Sequence, residues 1–140
     1  MFILSKILNG RINTSEPRRI TLSTALSDAV AAGTPISVAS GAATVLTAAT
    51  TVRATHVVCE DAPSGATSVL VLDLLPGMVF STALTAADST GACKIGAEVK
   101  ITAQGVQPAA VESNVRGAVV FETPESTASG AEILVTFPIV

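Results

Sequence analysis

Aromatic side chains are nearly missing from this chain: 140 residues hold four phenylalanines, no tryptophan and no tyrosine. Without Trp or Tyr it lacks the flat amphipathic platforms on which sugar-binding surfaces are usually built. Charge is scarce as well, at 14% Asp, Glu, Lys and Arg, against about 25% in an ordinary soluble domain. A surface so poor in charge must be Ala, Thr, Ser and Val over much of its area. Bare patches of that kind drive association, so a homo-oligomer is expected. No apolar run approaches the ~18 residues of a membrane span, and Met1-Phe-Ile-Leu-Ser-Lys6 is interrupted too early for a signal peptide. No membrane partner is expected.

The groups that carry chemistry are equally few. His56 is the only histidine, and it sits inside the β-branched run Val52–Cys59, where a strand-face histidine is a plainer reading than a general base. His56, Cys59 and Cys93 offer three metal ligands with no short-spaced pair, one fewer than a closed zinc site uses. The two thiols read as quietly packed rather than bridged. Asp88-Ser-Thr-Gly91 has one residue too many for the Asp-Thr/Ser-Gly of aspartic proteases. Glu60-Asp61 and Glu122…Glu125 fall in loops, where acids are simply solvated. No glycine-rich loop runs into Lys-Ser/Thr to hold a phosphate. A net charge of −3 with one small basic segment makes a poor nucleic-acid binder. The expectation is no enzyme, no cofactor, no metal and no nucleic acid.

What is abundant is the β-hairpin. Val119–Phe121 and Ile133–Phe137 are β-prone runs around a loop of Pro, Ser, Thr and Gly. Much the same sentence occurs in Val57–Leu72. Both copies pass from two valines through a glutamate (Glu60, Glu122) and a proline (Pro63, Pro124) to Ser-Gly-Ala, then into an aliphatic run. A looser echo is Leu26–Val38. Such repetition suggests a fold assembled from similar hairpins. Further strands are expected at Ile36–Val38, Ala43–Thr47, Thr51–Cys59, Val69–Leu74, Met78–Ser81, Ile95–Ala103 and Val106–Pro108. Pro76-Gly77 marks a turn, Gln104-Gly105 a tight hairpin with glycine at positive φ, Gly130 another positive-φ position, and Gly117 a place of close backbone approach. Between Ser23 and Gly33 the spacing of Leu22, Leu26 and Val30 predicts one short helix capped by Gly33, over the alternative that the same residues, as an echo of the hairpin, form a loop leading into Ile36–Val38. The fold class expected is all-β: a small antiparallel sandwich or barrel built from hairpins, with at most one or two short helices.

Residues 1–22 stand apart. They hold half of the basic residues and one acid, which leaves the segment near +3 and the remainder near −6. Asn9-Gly10 and the stretch from Asn13 to Pro17 break regular structure. The segment reads as an extended basic arm, followed by a single β domain over 23–140. Its candidate contact residues are the apolar Phe2, Ile3, Leu4, Ile7 and Leu8 with the cationic Lys6, Arg11, Arg18 and Arg19.

Leu84-Thr-Ala-Ala…Gly91…Lys94-Ile-Gly-Ala-Glu-Val-Lys-Ile-Thr-Ala-Gln-Gly-Val106, then Gly117-Ala-Val-Val-Phe-Glu122, a loop, and Ser129-Gly-Ala-Glu-Ile-Leu-Val-Thr-Phe137 resemble the head decoration (cement) proteins of tailed phages. The resemblance covers the second half of the chain. It implies a small β-rich virion protein, made in the host cytoplasm, that sits as a trimer on the outer capsid surface, binds the major capsid protein and reinforces the expanded shell. It also implies that a terminal arm grips the capsid or a neighbour. The competing functions are another virion surface part, such as a fibre, spike or receptor-binding module, and a β-barrel enzyme resting on His56 and Cys59.

Overall fold

Short β-branched runs punctuated by Gly, Pro and Ser become eleven strands among the described residues of a computed structural model, which cover 1–8, 16–49, 51–113 and 115–138. In chain order these are β1 (Ile3–Ile7), β2 (Arg18–Thr21), β3 (Pro35–Ala39), β4 (Ala42–Val45), β5 (His56–Val58), β6 (Ser68–Asp73), β7 (Met78–Ala83), β8 (Glu98–Ile101), β9 (Val106–Ala110), β10 (Ala118–Glu122) and β11 (Glu132–Thr136). They form two antiparallel sheets of a small sandwich, with orders β1-β7-β11-β10-β8-β9 and β2-β6-β5-β3-β4.

The second order is the first, less β1, moved back by five strands. The chain is therefore one five-stranded unit built twice: β2–β6 is the first copy and β7–β11 the second. The correspondence reaches individual hydrogen bonds. Gly33 N–H donates to Val58 O and Gly96 N–H to Val120 O, while Val58 and Val120 N–H donate back to Thr34 and Ala97 O. Leu26 and Leu84 N–H donate to Ala66 and Ala131 O, and accept from Gly65 and Gly130. Ala32 N–H is held by the Asp61 carboxylate and Ile95 N–H by the Thr123 hydroxyl, side chains at the same place in the two copies. Gly65 and Gly130 share φ +84°, a conformation costly for side chains with a Cβ. The repeated hairpin sentence thus marks a repeated fold unit. The echo at Leu26–Val38 belongs elsewhere: its counterpart is Leu84–Ile101, not the hairpin.

Three further expectations are corrected. The described residues among 1–22 are no arm beside the fold. β1 pairs with β7 and β2 with β6, each as an edge strand, so the β structure starts at Ile3 rather than after Thr21. The β pairing and the burial of Phe2 outweigh the local breaks, which fall between the two strands and not in them. Residues 23–33 form no helix. Leu22, Leu26 and Val30 are buried, but by a crossing loop whose backbone bonds to Thr67, Ala66 and Ala62 instead of to itself. A partner backbone satisfies the peptide groups that a helix would have paired internally. Gly105 does not adopt positive φ; a Cβ there would lie 2.2 Å from the Ala83 carbonyl oxygen. The turn at Pro76-Gly77, the positive φ of Gly130 and the close approach at Gly117 are as expected.

Register sorts the side chains into two cores. In the first copy Val58, Val69, Val71 and Ile36 face Leu22, Leu26 and Val30 of the crossing loop. The alternate residues Val57 and Leu72 point the other way and join Phe80, Phe137, Val120 and Val135 of the second copy. The back of the first unit therefore packs on the front of the second.

Candidate functional site

The nine residues expected to contact a partner fall into three groups. Phe2, Leu4 and Ile7 point inward. Phe2 is 2% exposed, its ring centroid lies 5.4 Å from that of Phe137, which lies 5.4 Å from Phe80, and its N–H donates to Gly33 O. Leu8 is half-buried and its N–H donates to Gly77 O. Residues 2–8 thereby tie the first unit to the second. Ile3, Lys6, Arg18 and Arg19 are exposed. Lys6 lays its ammonium 4.7 Å from the Phe121 ring centroid, a cation–π contact across the outer face of the six-stranded sheet. Arg19 pairs with Glu60. Arg11 lies outside the described residues.

Arg18 leads to a polar cluster that the sequence pattern did not foresee. Its guanidinium grips Asp73 with two bonds, Nε to Oδ2 at 2.8 Å and Nη2 to Oδ1 at 3.1 Å. Asp73 Oδ1 also lies 2.8 Å from His56 Nε2. A carboxylate can only accept, so Nε2 carries the proton and Nδ1 is free to accept from the Thr55 hydroxyl at 2.7 Å. The Thr55 oxygen in turn accepts Val38 N–H at 2.9 Å. The chain of bonds runs Val38–Thr55–His56–Asp73–Arg18 and laces β3, β5, β6 and β2 together. It has the members of a hydroxyl–imidazole–carboxylate triad. Its hydroxyl, however, is held by the backbone, and Arg18 takes the carboxylate, so the arrangement braces a sheet. No local sequence signal finds it: Asp73 reaches His56 only because β5 and β6 pair them directly.

Burial lowers the pKa of His56 from its ordinary 6.5, with Asp73 opposing and Arg18 adding to the effect. The hydrogen bond from Arg18 holds the Asp73 carboxyl below its ordinary 3.8. Both depressions mean that the unfolded chain binds protons more readily than the folded one. His56 therefore costs stability as pH falls below about 6.5, down to its folded pKa, and Asp73 does so below about 3.8. The melting temperature should drop between pH 7 and 5, and His56→Gln should flatten that slope. A parent whose melting point does not move over this range rules the effect out.

Asp88, unlike the half-buried Asp73, is a buried carboxylate, 6% exposed. It accepts Ala92 N–H at 2.9 Å and Cys93 N–H at 3.0 Å. The Cys93 backbone bond is the main reason its pKa is lowered. It closes the loop before Gly96 and has no proton to give at neutral pH. Burial pushes the Cys93 thiol up to about 11, with Asp88 adding to it, and burial also raises Cys59. Both cysteines are free and unreactive by this measure. Among the described residues no group of three or more His, Cys, Asp or Glu is placed to hold a metal. A concavity of ≈ 570 Å³ is the dish inside the β10–β11 loop, lined by Glu122, Glu125 and Glu132 together with loop hydroxyls. A groove of ≈ 390 Å³ runs between Phe2, Leu4 and Phe80 on one side and Val57 and Leu72 on the other. No protein-family model matches the chain, and no curated protein matches it.

Proposed function

We propose that this chain is a structural protein of a phage virion, attached as a homo-oligomer, a trimer, to the outer surface of the capsid through the major capsid protein, where it stabilises the expanded shell. One observation carries the reading. The stretch that resembles the decoration proteins, Leu84–Phe137, builds one continuous sheet region in which four of its glycines each do a required job. Gly96 and Gly130 turn with positive φ, and Gly105 and Gly117 let backbones touch. A charge-poor β surface with broad faces suits attachment by area rather than by chemistry. Several weak contacts held in one oligomer give tight binding by avidity.

Of the described contact residues within the former arm, those that stay outside are Ile3, Lys6, Arg18 and Arg19; Arg11 keeps its place among the candidates. The experiment is to add purified protein to expanded capsids that lack it and count copies per capsomer, with host cells as the comparison. Saturable binding to capsids at a fixed number per capsomer is expected. Binding to cells alone would make the protein a receptor-binding part, and binding to neither would end the virion reading. Ile3→Glu should weaken capsid binding at all salt concentrations. Arg19→Glu should weaken it mainly at low salt, because exposed charges are screened within about 8 Å at physiological ionic strength.

A further inference from the structure

The two units meet back to front, and such a contact uses different surfaces on its two sides. Val57 and Leu72, a directly opposed pair on the back of the first unit, join the cluster that holds Phe80 on the front of the second. Register gives the counterparts. Val119 and Thr136 are the opposed pair at the same place on the back of the second unit. Arg18, opposite Val71 as Phe80 is opposite Val135, takes the place of Phe80 on the front of the first. One unit's back and the other's front are thus consumed within the chain, while Val119 and Thr136 remain half-exposed and the Arg18 side chain is 57% exposed. A head-to-tail contact between like units leaves one unused half at each end, and repetition of it makes a ring if the rotation closes.

We propose that copies of this chain assemble head to tail by repeating the internal contact. The back of the six-stranded sheet, around Val119 and Thr136, seats on the Arg18 side of the five-stranded sheet of a second copy. The occupant is a second copy because its own duplicated half already shows which surface fits there. Wholly apolar partners on the internal contact, and Thr136 and Arg18 beside Val119 on the external one, suit a permanent join and an assembling one respectively. The inference deepens the homo-oligomer reading and is measured on free protein, apart from capsid binding.

The test is sedimentation velocity at micromolar concentration on the full chain, with circular dichroism to confirm folding. The parent is expected to be oligomeric. Val119→Arg with Thr136→Arg should give folded monomers, a loss of self-affinity of at least about 100-fold. Thr136→Glu, which faces Arg18 across the contact, should keep the parent's mass. Arg18→Glu should also be monomeric, and mixing it with the Val119/Thr136 arginine variant should restore association, since one contact between them is unaltered and the other sets glutamate at 18 against arginine at 136. If Arg18→Glu fails to fold, the contrast between arginine and glutamate at 136 still decides. An oligomeric parent indifferent to these substitutions overturns the head-to-tail contact alone. A monomeric parent overturns it together with the homo-oligomer reading.

Discussion

A chain that starts at Thr21 should be unfolded or aggregated, not a trimmed but intact β protein. The truncation removes β1 whole and nearly all of β2, the two strands that close one edge of each sheet. It exposes the backbone edge of β7, a ready template for pairing with other chains. It also strips Phe2 from Phe137 and opens the groove beside Phe80. Phe2→Ala alone should cost about 3–5 kcal/mol, the usual range for emptying a buried phenylalanine site. Against a total stability on the order of 5–15 kcal/mol, that one substitution leaves a marginal fold and the full truncation leaves none. Denaturant unfolding followed by circular dichroism checks both. A truncated chain melting within a few degrees of the parent would show that the first two strands are accessory after all.

Gly117→Ala and Gly130→Ala should separate two reasons for a glycine. At Gly117 a Cβ would sit 1.9 Å from the carbonyl oxygen of Val99 and 2.9 Å from a methyl of Val111. The oxygen belongs to β8, which pairs with β10 through Ala118 opposite Val99, so it cannot retreat without breaking the ladder. Substitution should cost about 3 kcal/mol or more, at the upper end of what overpacking does. At Gly130 nothing lies within 4 Å of the same atom, and only φ +84° stands against a side chain. The cost there should be about 1–2 kcal/mol, the price of a left-handed L-residue. Valine at 130 should add little more than alanine, because the space is open. Equal melting points for the two alanine variants would mean that β8 can move away from Gly117.

The residues fixed a good deal of this locally. β-branched runs bounded by Gly, Pro and Ser can settle only as short strands. The expected positions of β3, β4, β6, β7, β8, β10 and β11 agree with the structure to within a few residues. The Ser-Gly-Ala repeat at 64–66 and 129–131 was legible because a positive-φ turn accepts few residues other than glycine. The letters Ser-Thr-Ala-Leu at 23–26 and 81–84 were a further sign of duplication, since Leu26 and Leu84 make the same two backbone bonds.

Tertiary structure decided what depends on contacts between distant stretches. Leu22, Leu26 and Val30 carry helical spacing, yet the carbonyls of residues 62–67 compete for their N–H groups and win. Phe2 looked like a docking tip because its partners, Gly33, Phe80 and Phe137, lie up to 135 residues away. His56 and Asp73 acquire a common role only through the β5–β6 register. Periodicity and turn chemistry act over a few residues, so they name the strands. Which strand lies beside which, and which face meets which, follows from burial summed over the whole chain, and no short stretch carries that sum.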